Sequence, residues 1–431
     1  MDAIKDKNIL LRGGEIIDPF SGKREQQDIV ITHGKIDTIS KIDDNFSGDI
    51  HDVSGYLITP GLLDMHVHMR EPGREDEETI ESGCAAAMAG GFTAVCPMPN
   101  TMPPCDNQEV VRFLKKRSEQ LLVDLYPVAT ITKGRKGEEI TEMADLIHAG
   151  AVAFSDDGSP VLNTQVMRYA MEYASMYKAP IIDHSEDSFL SAGGHMNESI
   201  MSTRLGIQGI PNASEAVMIA RNIELARLTQ AHVHIAHLST KEGVALIRRA
   251  KEEGISISCE VTPHHLFFTD EDLIEFDTNL KMNPPLRTAD DVEALKQGLR
   301  DGTIDVFASD HAPHAIQEKD VEFSAAPFGI LGLETMLGAL LEKVVNSNIL
   351  EIDRMIAKLS TVPRSILNLS PVEIKKGELA NLTIFNPNQK FKVDANKLHS
   401  LSRNTPFDGM ELPGKVYGVI NNNYAQWNKS S

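Results

Sequence analysis

Between about Thr59 and Ser370 the sequence repeats one cycle: an apolar β-type run, a polar loop, then a helical stretch. Strand candidates end near His68, Asn100, Thr132, Asp157, His184, His237, His264 and Asp310. Helical stretches lie between most of them, from about Glu78 to Ala89, Asp106 to Leu122, Ser214 to Leu228 and Ala289 to Arg300. Eight strand–helix units over roughly 250–310 residues match a closed (β/α)8 barrel. The expected fold class is therefore α/β, with a TIM-type barrel spanning 59–370.

The flanks read differently. Short β-type runs separated by turn residues precede the barrel at Ile9–Leu11, Asp28–Ile31 and Lys35–Ile39, and follow it at Gly377–Phe385 and Gly414–Ile420. Chain ends lie close together in many domains, so 1–58 and 371–431 are expected to build one small β-sandwich domain. Such a division suits a chain of 431 residues, too long for one core of ordinary size. The net charge of −20 argues against nucleic acid and anionic membranes as partners. There is no basic-then-apolar leader and no apolar run of membrane-spanning length. Cys84, Cys96, Cys105 and Cys259 show no CxxC spacing and read as reduced thiols of a cytoplasmic protein.

Barrel active sites assemble at the C-terminal ends of the strands. In this chain those ends carry metal-ligand residue types. The first follows the apolar run Leu57–Leu63, read as one strand, and exits through His66-Val67-His68-Met69-Arg70. Side chains alternate along a strand, so His66 and His68 share a face, and Arg70 has the same parity. Later strands exit at Asn100, Asp156-Asp157, His184, His237 and Asp310. His66, His68, Asp157, His184, His237 and Asp310 supply four imidazoles and two carboxylates, a set suited to Zn²⁺, with Mn²⁺ or Co²⁺ as substitutes. Six side chains are too many for one catalytic zinc but enough for two ions bridged by a carboxylate. His232 and His234 have the opposite strand parity to His237 and are expected to face the helices. His51, His148, His195 and His399 read as surface or loop residues, and the acidic stretch Glu71–Glu81 as a solvated helix start.

Taken together, these exits resemble the amidohydrolase superfamily. Within it, His66-Val67-His68-Met69-Arg70-Glu71-Pro72-Gly73, Met98-Pro99-Asn100-Thr101, Lys281-Met282-Asn283-Pro284-Pro285-Leu286-Arg287 and Ser309-Asp310-His311-Ala312-Pro313-His314 are similar to the dihydroorotases of the bacterial stand-alone type. The resemblance implies a zinc-dependent cyclic amide hydrolase with two Zn²⁺ per subunit. Its reaction would be the reversible cyclisation of N-carbamoyl-L-aspartate to L-dihydroorotate in pyrimidine biosynthesis, by a metal-activated hydroxide. Many relatives carry a carbamylated lysine at the fourth strand end; here Asp156-Asp157 stands there, and Asp157 matches the bridging position. The resemblance gives strand seven no ligand, so His264 and His265 are left out. It makes Asp310 the proton carrier and assigns substrate contacts to His68, Arg70, Asn100, Asn283, Asp310, His314, Phe328 and Gly329. Arg70 would grip the substrate carboxylate, with an amide donor from Asn100. The stretch Gln317–Gly329 reads as a lid. The expected partner is a small molecule; a homodimer is one expectation for the assembly. Two rivals remain at this point: another cyclic amidase, such as a hydantoinase or allantoinase, and a catalytically dead relative that supports a partner enzyme.

Overall fold

A computed structural model describes residues 1–428 of the chain. At its centre parallel strands follow one another around a ring: Leu62–Val67, Phe92–Pro97, a third strand in two pieces (Asp124–Leu125 and Val128–Ala129), Ala153–Phe154, Ile181–Asp183, Val233–Ile235, Ile257–Val261 and Val306–Phe307. The ring closes where Val67 bridges His311 in parallel and His68 N donates to His311 O at 2.8 Å. The third strand breaks at Tyr126-Pro127, because proline has no N–H for the ladder. Its first piece pairs with the second strand and its second piece with the fourth. Its expected end near Thr132 is cut short, since Ile131 and Thr132 leave the ladder and donate their backbone N–H groups to Asp156 instead.

The ring is a filled core. Leu63, Met65, Ala94, Cys96, Val128, Ala153, Ile182, Ala236 and Val306 pack together inside it. A larger apolar layer joins its outer face to the surrounding helices. Helices occur at the four expected places, Ile80–Gly90, Gln108–Ser118, Asn212–Thr229 and Ala289–Asp301, and also at Met143–Ala149, Thr164–Met176 and Lys241–Glu252. The first shows how each unit is punctuated. Thr79 caps its N-terminus through Ser82 N, and Gly91, at φ 92°, ends it in the left-handed conformation that glycine adopts most easily.

Both flanks of the chain build the second layer system. One sheet has seven strands, in the order Asp2–Ala3, Tyr424–Trp427, Lys415–Asn421, Leu382–Asn386, Leu57–Pro60, Glu15–Asp18 and Lys23–Gln26. A sheet of four strands, Lys35–Ile39, Ile29–Thr32, Asn8–Arg12 and Asp49–Asp52, lies over it. Ile9, Leu11, Ile16, Ile29, Ile31, Ile58, Leu382 and Ile384 fill the space between. The apolar run Leu57–Leu63 is two strands, not one. Leu57–Pro60 belongs to the sandwich and Leu62–Val67 to the barrel. The chain changes sheets at Gly61, where a Cβ would fall 1.8 Å from Asn381 Oδ1 and 2.1 Å from Thr93 Oγ1.

Candidate active site

The first barrel strand slips its alternation just before its exit. Leu63 and Met65 point into the ring, whereas Val67 and Met69 join the outer core. Between them the pairing register with the second strand shifts. A bulge of this kind re-aims side chains at a barrel rim, and here it turns both His66 and His68 toward the mouth. Three other site residues hold left-handed backbone conformations: Arg70 (φ 59°), His237 (φ 30°) and Asp310 (φ 46°). Such conformations are unfavourable for residues with a Cβ and persist where the surrounding fold imposes them.

The ligand-type atoms converge on Asp157. Its Oδ1 lies 3.4 Å from His66 Nε2, 3.6 Å from His184 Nδ1 and 3.6 Å from His237 Nε2, and its Oδ2 lies 3.5 Å from His68 Nε2. Asp310 Oδ1 is 3.1 Å from His68 Nε2 and 3.5 Å from His66 Nε2. Two triads of ligand atoms result, His66–His68–Asp157 and Asp157–His184–His237, each within 4.8 Å, and Asp157 belongs to both. Within the cluster, His66 Nε2 and Asp157 Oδ1 are buried without a hydrogen-bond partner. Unpaired buried polar atoms are costly, so a cluster of nitrogen and carboxylate donors left in this state fits bound cations. Burial alone would push the Asp157 carboxyl up, but the imidazoles of His66, His184 and His237 hold it well below the usual carboxylate range. The neighbouring Asp156 is occupied elsewhere: it accepts from Ile131 N at 2.8 Å, Thr132 N at 3.1 Å and the Thr132 hydroxyl.

A cavity of about 240 Å³ opens over the cluster. His68, Arg70, Asn100, Asp157, His184, His237, Asn283, Asp310, His314, Phe328 and Gly329 all line it, while His66 is fully buried behind. The loop that carries Phe328 and Gly329 is tied down by two buried lysines. Lys319 Nζ donates to Thr278 O at 2.9 Å and Pro327 O at 2.8 Å, and Lys281 Nζ to Phe323 O at 2.7 Å and Ser324 O at 3.1 Å. Burial lowers Lys319 to about 7 and Lys281 to about 8.

Comparison with known proteins gives this geometry a family. Residues 55–243 match the family model described as dihydro-orotase-like. The chain is 47% identical over 412 residues to a dihydroorotase of Pelotomaculum thermopropionicum, covering 96% of each chain. It is 48% identical over 413 residues to a dihydroorotase of Caldanaerobacter subterraneus subsp. tengcongensis, covering 96% of this chain and 95% of that one. The chain belongs to the dihydroorotase family. Among solved structures it is similar to the L-hydantoinase (dihydropyrimidinase) of Arthrobacter aurescens, at 25% identity and a TM-score of 0.87, over 99% of this chain and 97% of that one. Barrel and sandwich are thus shared across these cyclic amidases.

In this member of the dihydroorotase family, three ligand-type imidazoles are each oriented through their second nitrogen. His66 Nδ1 donates to Glu260 Oε1 at 2.7 Å, His68 Nδ1 to Asn100 Oδ1 at 2.8 Å, and His184 Nε2 to Glu186 Oε2 at 2.9 Å. Glu186 also accepts from Asn283 Nδ2 at 2.5 Å, tying a cavity residue to the cluster. Sequence reasoning missed both glutamates. The available signals were a carboxylate inside the apolar run Ile257–Val261 and an acid two residues past His184.

Other expectations are corrected. His234 does not face the helices; it is fully buried and its Nε2 donates to Glu260 Oε2 at 3.1 Å. His232 hydrogen-bonds Ser256 and Ser258 of the neighbouring strand. Parity failed here because the left-handed turn at His237 breaks the alternation: Ala236 points into the ring, yet His237 reaches the cluster. His264 and His265 do not end strand seven, which stops at Val261; they sit in a short helix, Pro263–Phe267, capped by Thr262. The acidic stretch Glu71–Glu81 is not simply solvated, since Glu71, Glu77 and Glu78 are buried. Glu78 meets His311 Nε2 at 3.2 Å, behind the eighth strand exit.

Proposed function

We propose that this chain catalyses the reversible ring closure of N-carbamoyl-L-aspartate to L-dihydroorotate with loss of water, in pyrimidine biosynthesis, using two Zn²⁺ ions. The observation that carries the reading is one cavity whose wall holds both the Asp157-centred cluster and Arg70, Asn283 and His314. Residues His66, His68, Asp157, His184, His237 and Asp310 would hold the ions, with Asp157 as the shared carboxylate. Bound there, two zinc ions supply Lewis acidity toward the ring amide carbonyl and lower the pKa of the attacking water.

The protein's own groups account for the remaining chemistry. In the hydrolytic direction a C–O bond forms at the ring carbonyl carbon and the ring C–N bond breaks. Asp310 takes the proton from the attacking water and delivers it to the leaving ring nitrogen. It is suited to begin as a base: burial opposes ionisation, but His66 and His68 hold its carboxyl well below the usual carboxylate range. Arg70 offers its guanidinium to the substrate carboxylate, and Asn283 and His314 line the same cavity. Asn100 uses its carboxamide oxygen on His68, which leaves the amide N–H groups for the ligand. Phe328 and Gly329 close the cavity from their loop and exclude water around the ring. The cytoplasm is the proposed compartment, supported by four free, buried cysteines.

The test is a parallel assay with dihydroorotate, hydantoin and allantoin on metal-replete protein, together with Arg70→Met. Dihydroorotate should be the preferred substrate. Arg70→Met should lower its kcat/KM by about a hundredfold or more, in keeping with about 2–5 kcal/mol for a buried charge-paired contact, while zinc content stays the same. Undiminished turnover of dihydroorotate by Arg70→Met, or a preference for hydantoin, would move the assignment to another cyclic amidase.

A further inference from the structure

Glu77 has been given no role so far, yet it joins two residues of the cavity wall. Its side chain is 3% exposed. Its Oε2 lies 3.0 Å from Arg70 Nε, and its Oε1 lies 3.1 Å from His314 Nδ1. The first contact reaches the exit of strand one and the second the segment after strand eight, so a single carboxylate spans the seam where the ring closes.

The single N–H of Arg70 Nε donates to Pro313 O at 3.1 Å, so Glu77 meets that nitrogen as an ion pair; on the far side of the other partner, His314 Nε2 donates to Phe328 O at 2.8 Å. Arg74 stands behind, its Nη2 3.2 Å from Glu77 Oε1 and 2.7 Å from Glu318 Oε1, so the buried carboxylate does not draw Arg70 away from the cavity as its sole counter-ion. With Nε taken, the two terminal amino groups of Arg70 make no hydrogen bond among the described residues. That end of the fork is the part able to hold a carboxylate with two parallel bonds.

We propose that Glu77 is a positioning residue for the ligand's carboxylate: it locks Arg70 at Nε so that the terminal amino groups face the cavity, and holds His314 beside them. The inference rests on the reading of Arg70 and His314 as carboxylate partners. Glu77 does not touch the reacting atoms, so its loss acts on recognition of ring-borne carboxylates and not on the chemical step.

The experiment uses the full-length, metal-replete chain with Glu77→Gln, Glu77→Asp and Arg70→Met in parallel. Steady-state kinetics with dihydroorotate, competitive inhibition by orotate and zinc content are measured for each. For Glu77→Gln, the KM and the orotate inhibition constant should both rise by about tenfold to a hundredfold, the usual scale for losing a partner that orients a binding group, with a much smaller change in kcat and unchanged zinc. Glu77→Asp keeps the charge but shortens the reach, and should recover part of the loss. If Glu77→Gln does not fold, Glu77→Asp must itself show the selective rise in KM. The inference falls if KM and orotate inhibition are unchanged at Glu77 while Arg70→Met raises both. It also falls if kcat and zinc content drop as far as KM rises, which would mark Glu77 as structural only. An Arg70→Met enzyme with unchanged KM would remove the carboxylate reading, and the role of Glu77 with it.

Discussion

Glu260 shows how a single side chain behind the cluster governs those in front of it. It is fully buried, and it accepts from His66 Nδ1, His234 Nε2 and the backbone N–H of His237 at 3.1 Å or less. A ligand imidazole whose second nitrogen is anchored in this way keeps one tautomer and one ring orientation. Glu260→Ala should therefore weaken metal binding at the cluster by about tenfold to a hundredfold, measured with zinc by competition with a chelator. Unchanged affinity would mean that packing alone orients His66. The two residues are 194 positions apart, which is why the strand-exit reading found His66 and passed over its partner. His66 announces itself through local spacing. Glu260 is an acid in an apolar strand, and only a neighbour brought by the fold gives it meaning.

Single elements explain where the sequence-based boundaries moved. The run Leu57–Leu63 is mostly apolar on both sides of Pro60-Gly61, so hydropathy alone does not show that it serves two sheets. The crowding at Gly61 makes the division physical. Gly61→Ala should displace the hydrogen bond from Thr93 Oγ1 to Asn381 Oδ1, now 2.7 Å. We expect a loss of about 1–3 kcal/mol, read as a lower denaturant midpoint with an unchanged slope. The loop after the eighth strand carries a pH dependence. Burial, with help from Lys281, lowers Lys319 from its ordinary 10.5 to about 7, while Asp277 opposes the shift weakly. Between those two values the unfolded chain binds more protons than the folded one, so this group's contribution to stability rises with pH; below about pH 7 the full penalty remains. Thermal unfolding followed from about pH 7 to about pH 10 should show a rising contribution that Lys319→Met removes. An identical slope in the variant would place the dependence on another group.

The whole molecule sets an electrostatic background that the cavity must overcome. A net charge of −20 repels an anionic substrate at long range, while in the proposed reading the guanidinium of Arg70, a cavity-lining group, would attract it at short range. Mobile ions screen the first effect more than the second, because exposed charges are screened and buried ones largely are not. The kcat/KM for dihydroorotate should therefore rise with ionic strength at low salt. A fall would mean that local attraction at the cavity entrance dominates the encounter. At this scale the sandwich and barrel also share their seam: Thr383, on a sandwich strand, donates its hydroxyl to Gly91 O at 2.7 Å, at the start of the second barrel strand.

The sequence by itself determined the eightfold strand–helix alternation, the β character of both ends and the metal-ligand residue types at the strand exits. These are properties of neighbours in the chain: side-chain period, turn residues and the chemistry of single positions. The tertiary structure alone decided that His234 points inward, and that Glu77, Glu186 and Glu260 stand behind residues of the cavity and of the cluster. Each of those depends on a bulge, a left-handed turn or a contact across the closed ring. Such features arise from how strands register against one another, which hydropathy along one strand does not encode.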